Sequence, residues 1–264
     1  HIAYEINEYF SFKVPNAQFH PKFKAKIWDG KIRLFNINTG KMYLGLYPYL
    51  KEWADKHTYA LKTDIVQVTS KGINYEECDA FMNSISPFVN GKKITPRDYQ
   101  VESFVECVKR ERALLLSPTS SGKSLVIYSL IRWHQQFLDN DKILILVPTT
   151  NLVTQMYNDF KDYSSNTSDW NVENQCHMIY SGREKESEKQ IYISTWQSLF
   201  RLGAPYFKKF GMVVGDEAHL CNAQSLKGIL EKMTTCRYRF GTTGTITDSK
   251  TNKLVLEGLF GKTY

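Results

Sequence analysis

Ala113-Leu114-Leu115-Leu116-Ser117-Pro118-Thr119-Ser120-Ser121-Gly122-Lys123-Ser124 is the stretch whose reading decides the fold. A short apolar run, Ala113 to Leu116, enters a turn of small residues, and the turn opens into a helical pattern over Leu125 to Phe137. Strand, turn and helix in that order make a concavity of backbone amides beside a helix N-terminus, whose dipole favours anions. Gly122 lets the backbone approach phosphates, Lys123 can reach β- and γ-phosphates, and the Ser124 hydroxyl suits Mg²⁺. The general phosphate-loop pattern has a first glycine where Ser117 stands, so the bare match is imperfect, and a chance Gly-Lys-Ser in an ordinary loop is the competing reading.

Outward from that turn, strand and helix patterns alternate. Ile143 to Val147, Ile191 to Ser194, Met212 to Gly215 and Tyr238 to Gly241 read as further buried strands, and Leu152 to Phe160 as a second helix. Continuous apolar strands alternating with helices imply a mainly parallel sheet covered on both faces, an α/β fold. Ligands of such sheets bind at the carboxyl ends of the strands. Met212-Val213-Val214-Gly215 runs there straight into Asp216-Glu217-Ala218-His219. Asp216 is placed to hold Mg²⁺ through water and Glu217 to take a proton from an attacking water. Two solvated acids capping a helix would be the bland alternative. Both elements, in this order on one α/β pattern, point to ATP hydrolysis with Lys123, Asp216 and Glu217 as catalytic residues.

The 264 residues allow two ordinary domains. Ser84 to Pro96, with Pro87, Asn90, Gly91, Lys92-Lys93 and Pro96, reads as a loop or linker, so a boundary is expected near residue 90. That gives 1–90 as a small basic α+β domain and 91–264 as the motor. Before the linker, Trp28-Asp29-Gly30-Lys31 with Ile32, Leu34 and Phe35 is a turn-plus-strand signature. Tyr47 to Lys56 predicts a short helix with Leu50 and Trp53 on one face, and Val66 and Val68 a half-exposed strand. The hydrophobic fraction of 42% and aromatic fraction of 14% fit a globular chain. The longest apolar runs fall far short of the roughly 20 residues of a membrane span, and no secretory signal is visible. His1 in place of a methionine points to a chain trimmed at its start. Five scattered cysteines without a Cys-x-x-Cys pair argue for reduced thiols in a cytosolic setting and against a zinc site. The net charge of +7 favours an anionic partner, nucleic acid first, although a solvated lysine-rich surface would give the same total.

From about Arg97 to Tyr264 the motifs, in their order, resemble those of superfamily-two helicases of the Asp-Glu-Ala-His type. The resemblance implies a RecA-like motor domain using ATP and Mg²⁺. Arg97-Asp98-Tyr99-Gln100 resembles the family's adenine-reading motif, so Arg97 and Gln100 join Thr119, Ser120, Ser121, Gly122, Lys123 and Ser124 as ATP-binding residues. Ser124 and Asp216 become the Mg²⁺ residues. Ser120 departs from the pattern, standing where the family usually has glycine. Val147-Pro148-Thr149 and Ser194-Thr195-Trp196-Gln197-Ser198 are similar to strand-contacting motifs, which makes Pro148, Thr149, Thr195 and Gln197 nucleic-acid contacts. Thr242-Thr243-Gly244-Thr245 resembles the coupling motif, and His219 is grouped with Thr242, Thr243 and Thr245 in that role.

The N-terminal Phe19-His20-Pro21-Lys22-Phe23-Lys24 and Trp28-Asp29-Gly30-Lys31-Ile32-Arg33-Leu34 look like the accessory domain of UvsW-type phage helicases. Lys22, Lys24, Lys26, Lys31 and Arg33 interleave with Phe23 and Trp28, a mix suited to backbone contacts and base or sugar packing; aromatics in a core beneath a wet lysine face would be the plain alternative. Through Lys93 there are 13 Lys/Arg against 9 Asp/Glu. The resemblance implies an enzyme that remodels branched DNA and unwinds DNA or RNA–DNA duplexes in recombination, repair and replication. It further implies a monomer acting in the cytoplasm (the host's, if phage-encoded) and away from membranes. A complete family motor carries a second, arginine-bearing domain beyond Gly258-Leu259-Phe260-Gly261, so the 264 residues alone are expected to bind ATP weakly and unwind little. Two other readings stay open: a duplex translocase of restriction or remodelling type that does not separate strands, and a nucleic-acid-binding module with a vestigial ATP site.

Overall fold

A computed structural model describes residues 1–63, 72–118, 120–138, 141–180, 182–220, 223–244 and 250–264. The expected strand at Val66 and Val68 lies outside them. The chain divides into two compact units, one of His1–Val66 with Ile246–Lys262 and one of Gln67–Thr245 with Thr263–Tyr264.

The larger unit is built on a six-stranded, wholly parallel sheet. Its strands are β1 (Arg112–Leu116), β2 (Lys142–Val147), β3 (Cys176–Ile179), β4 (Ile191–Thr195), β5 (Phe210–Gly215) and β6 (Tyr238–Thr243). Their spatial order is β1-β6-β5-β2-β4-β3. The unit's longer helices are α1 (Tyr75–Ser84), α2 (Asp98–Arg110), α3 (Lys123–Phe137), α4 (Thr150–Tyr163) and α5 (Ala223–Lys232). Strands of unbroken apolar residues are buried on both faces, as parallel strands flanked by helices must be: Ile143, Leu144, Ile145, Leu146 and Val147 are all fully buried. Each such side chain contributes about 1.5–3 kcal/mol of burial. This is the RecA-like α/β fold that the sequence pattern implies. The register pairs Leu116 with Thr243, Gly241 with Gly215, Gly215 with Leu146 and Val147 with Thr195. The strand ends that lead into the motifs therefore line one edge.

The stretch expected to be a linker is folded. Phe88–Val89 and Lys92–Lys93 form a hairpin, turning on Asn90 at φ 50° and Gly91 at φ 72°. Asn-Gly is the pair that a two-residue hairpin turn with positive φ at both positions favours. Asn90 N–H donates to Asp162 Oδ2 on α4 at 2.8 Å. Upstream, α1 sends Cys78, Phe81 and Met82 into the same core, with Phe81 stacked on Phe104 of α2 at 5.7 Å between centroids. The division of the chain thus falls some 25 residues before the expected 90.

The smaller unit is α+β and has short strands. Ser11–Lys13 pairs with Lys31–Arg33, and Phe35–Asn36 with Lys41–Met42, both antiparallel. The helix Tyr47–Lys56 forms over the expected residues and buries Trp53. The core gathers Phe10, Leu34, Phe35 and Leu46, and it takes Leu254 from a helix over Lys250–Phe260. That helix, inside the 91–264 motor range by sequence, thus belongs to the smaller unit. It also buries Glu257 completely, where Tyr49 donates its hydroxyl to Glu257 Oε2 at 2.8 Å. Among the described residues no helix is long and apolar enough to cross a membrane.

Candidate nucleotide site and nucleic-acid interface

The phosphate loop links β1 to α3. Gly122 caps α3 with φ 77°, and a Cβ there would meet Gln100 Nε2 at 2.3 Å. Both the backbone conformation and the close approach require glycine. Ser120 also has positive φ, 64°, which accounts for the family's glycine at this place: a side chain here costs about 1–2 kcal/mol of strain. Ser117 and Ser121 face each other, Oγ to Oγ at 2.5 Å. Ser117 N–H also donates to Thr243 O at 2.9 Å, joining the loop to the end of β6. Thr119 lies outside the described residues.

Gln100, buried on the first turn of α2, supports the loop from behind. Its amide donates to Ser121 O at 3.0 Å and Gly122 O at 3.3 Å, while its carbonyl accepts Arg97 N–H at 2.9 Å. Arg97 Nη1 reaches Tyr99 OH at 2.9 Å, and Tyr99 donates to Ser121 O at 2.9 Å. Tyr99 escaped the sequence reading, although it stands beside Gln100. Gln100, the glutamine expected to read adenine, and Tyr99 hold the loop's backbone carbonyls, while Arg97 bonds to these two side chains.

Lys123, Asp216 and Glu217 meet at the carboxyl edge of the sheet. Lys123 Nζ lies 2.5 Å from Glu217 Oε1 and 3.4 Å from Ser117 O. Glu217 itself has φ 47°, in the left-handed region, a strained backbone of the kind that the surroundings must hold in place. Asp216 is only 6% exposed. Its Oδ1 accepts from Thr242 Oγ1 at 2.5 Å and from Glu217 N–H at 3.0 Å. Burial pushes its carboxyl above the usual range, with the Thr242 hydrogen bond opposing. A desolvated carboxylate and, at the head of α3, a serine hydroxyl are hard-oxygen donors of the kind that suit Mg²⁺, which keeps most of its own waters and takes few protein ligands. Among the described residues no group of three or more His, Cys, Asp or Glu could form a metal cage, and such a site needs none. Asp216 and Ser124 are the residues that could hold the ion.

The residues expected to couple hydrolysis to movement join two strand ends. Thr242 holds Asp216, and the next residue, Thr243, places Oγ1 2.8 Å from His219 Nδ1. His219 Nδ1 is also 3.5 Å from Glu217 Oε2. The strand after the acidic box is therefore hydrogen-bonded to both the acid and the histidine. Thr245 lies outside the described residues.

The expected strand contacts cluster at the ends of neighbouring β2 and β4. Thr149 caps α4, accepting Leu152 N–H at 3.4 Å, and Gln197 Nε2 donates to Pro148 O at 3.1 Å. Thr195 is 4% exposed, and its hydroxyl pairs with Ser198 at 2.9 Å, so its side chain serves the local turn. In the smaller unit Lys22 and Lys24 are exposed, near Phe19 at 68% and Ile27 at 77% exposure. Lys31 lies 3.6 Å from Glu8, and Arg33 donates to both oxygens of Asp29. The four basic residues thus divide into two solvated lysines and two carboxylate-paired cations. Trp28 is half-buried, its ring N–H donating to Lys31 O at 2.8 Å.

Comparison with known proteins identifies the family. Residues 93–248 match the family model "Type III restriction enzyme, res subunit", and residues 1–64 match "DNA helicase UvsW, N-terminal". The chain belongs to the superfamily-two helicases, of the UvsW type. It is 30% identical to the ATP-dependent DNA helicase uvsW of Enterobacteria phage T4 over 99% of its own length and 51% of the relative's. It is 28% identical to the DNA 3'-5' translocase XPB2 of Sulfurisphaera tokodaii over 58% of its length and 31% of the relative's. The chain thus spans about half the length of the first of these relatives and less of the second. A crystal structure of the UvsW helicase from bacteriophage T4 superimposes with a TM-score of 0.87 at 29% identity, covering 100% of this chain and 92% of that one.

Proposed function

We propose that this chain is the ATP-binding portion of a DNA helicase that remodels branched DNA and unwinds DNA or RNA–DNA duplexes in recombination, repair and replication. The observation that carries the motor reading is the contact of Lys123, Glu217, Asp216 and Thr242 at one strand edge. The relative named an ATP-dependent DNA helicase supports the reading of DNA as the substrate.

ATP docks with its phosphates on the loop of Ser120, Ser121 and Gly122 and its base toward Arg97 and Gln100. The incoming phosphates compete with Glu217 for Lys123, and transfer of that ammonium to phosphate releases the Glu217 carboxylate to accept a proton from water. Ser124 and Asp216 would hold Mg²⁺, which when bound would neutralise developing phosphate charge. Thr242 and Thr243 then convey changes at Asp216 and His219 to β6. Nucleic acid lies along Pro148, Thr149, Thr195 and Gln197, with Thr195 contributing through its backbone. In the smaller unit Lys22 and Lys24 contact phosphates, with Lys31 and Arg33 as neighbours that first release their carboxylates. The working form is a monomer.

The test is ATP hydrolysis by the full-length protein with single-stranded, duplex, forked and RNA–DNA substrates, paired with a strand-displacement assay. Stimulation by forked DNA with displacement is expected. The match to the restriction-subunit model and the XPB2 relative favour one second reading, a translocase that moves on duplex without opening it. Triplex displacement without strand displacement would establish that reading instead.

A further inference from the structure

Ile27 is 77% exposed, more than any other large apolar side chain among the described residues. A rigid turn holds it there. After the helix Pro21–Lys24, Ile27 N–H donates to Lys22 O at 3.0 Å, and Lys26 N–H donates to Phe23 O at 2.9 Å. Lys26 between them has φ 57°. These are the bonds of a helix-ending turn whose left-handed position is usually glycine and whose last residue usually packs an apolar side chain back on the helix. Here the residue it would pack on is Lys22, and Lys26 bears the strain of a left-handed side chain. Both departures leave Ile27 uncovered.

The aromatic residues beside it are committed to the scaffold. The Trp28 ring N–H donates to Lys31 O, and the ring meets His20 edge-on at 5.4 Å between centroids. Phe23 lies against Gly30, where a Cβ would come within 3.0 Å of its ring. Phe23, Lys24, Lys26 and Ile27 line one open groove, and Lys22, Lys24 and Lys26 are all exposed. An apolar tip among three cations fits a polyanion that offers an apolar face, which is nucleic acid with an uncovered base. Driving an apolar side chain into a continuous duplex costs unstacking. The last base pair before a branch already presents one face to water, so covering it carries no such cost. We propose that Ile27 is a specificity-determining contact that covers the terminal base pair at a duplex–single-strand junction, while Lys22, Lys24 and Lys26 hold the adjoining phosphates. This rests on the reading of the smaller unit as DNA-binding and adds junction selection to it.

The experiment measures binding of the full-length protein, without ATP, to labelled forked DNA, plain duplex and single strand over a range of salt. The wild type should prefer the fork. In Ile27→Ala the fork-over-duplex affinity ratio should fall about tenfold, the scale of losing a buried aliphatic contact. Its salt slope and melting temperature should stay those of the wild type, because no charge and no core packing is removed, and Ile27→Leu should restore the ratio. The triple variant Lys22→Ala, Lys24→Ala, Lys26→Ala should instead weaken all three DNAs alike and lower the slope of log affinity against log salt by about 3. A wild type without fork preference, an unchanged ratio in Ile27→Ala, or an equal loss on every DNA in that variant overturns the proposal. A wild-type dimer in sedimentation that Ile27→Ala abolishes would assign the patch to a second copy and overturn it too. Wild-type affinity and slope in the triple-lysine variant would break the underlying reading of this unit as DNA-binding.

Discussion

The two units use similar residues to opposite ends. In the larger one, a sheet of long apolar strands buries a continuous core, from Val101 on α2 to Phe240 on β6. That core is large enough to hold strained or desolvated groups at its edge: Glu217 at positive φ, Ser120 likewise, and Asp216 buried. The smaller unit has strands of two or three residues and a core completed by Leu254, more than 180 positions along the chain from the rest. Its exposed Phe19, Phe23 and Ile27 stand among lysines. The proposed sites sit where a large core can support unfavourable groups, and where a small one leaves apolar and basic side chains uncovered.

The comparison can be broken at its weaker member first. Leu254→Ala removes a side chain that closes the small core, and large-to-small core changes cost about 2–5 kcal/mol. Amide hydrogen exchange should show protection lost over Phe10, Leu34 and Leu46, with β2 and β5 unchanged. Equal loss in both units would mean that they do not differ in the way described.

A smaller effect of opposite sign is expected at the site. The folded-state carboxyl of Asp216 is raised by burial. The native state therefore holds its proton more readily than the unfolded chain, and stability falls as pH climbs from the ordinary aspartate value through the raised one. Asp216→Asn keeps an acceptor for Thr242 and Glu217 but never ionises. Without Mg²⁺, its melting temperature at pH 7 should exceed the wild type's by about 2–4 °C, the shift that roughly 1 kcal/mol gives in a chain this long. The gain should disappear below the ordinary aspartate range. A variant less stable than wild type at pH 7 would show that Asp216 is a structural asset.

Much of the larger unit was legible because its strands are unbroken apolar runs that end in recognisable turns. Ile143 to Val147 and Met212 to Gly215 are strands, and the phosphate loop joins strand to helix. Other features followed from partners distant in sequence. β3 is four residues long and contains His177, too short and too polar to stand out. The Asn90-Gly91 hairpin gains its support from Asp162 on α4, which its local run of turn formers and charges does not show. Nothing in Lys250–Phe260 tells which core Leu254 joins. At the site, the placing of the motifs at strand ends follows from the sequence pattern, whereas the Lys123–Glu217 contact, and Tyr99 and Tyr163 beside Ser121 and Ser124, follow from the fold. Thr195 shows the converse, a motif hydroxyl engaged by Ser198.

The proposed role of Glu217, held by Lys123, is to accept the proton once ATP phosphate takes the lysine. It is tested most directly by single-turnover ATP hydrolysis of Glu217→Gln in the full-length protein with DNA present. The amide cannot accept the proton, so the rate should fall by about 10²–10⁴-fold while ATP analogue binding stays intact. Hydrolysis within a few-fold of wild type, with binding unchanged, would contradict the account.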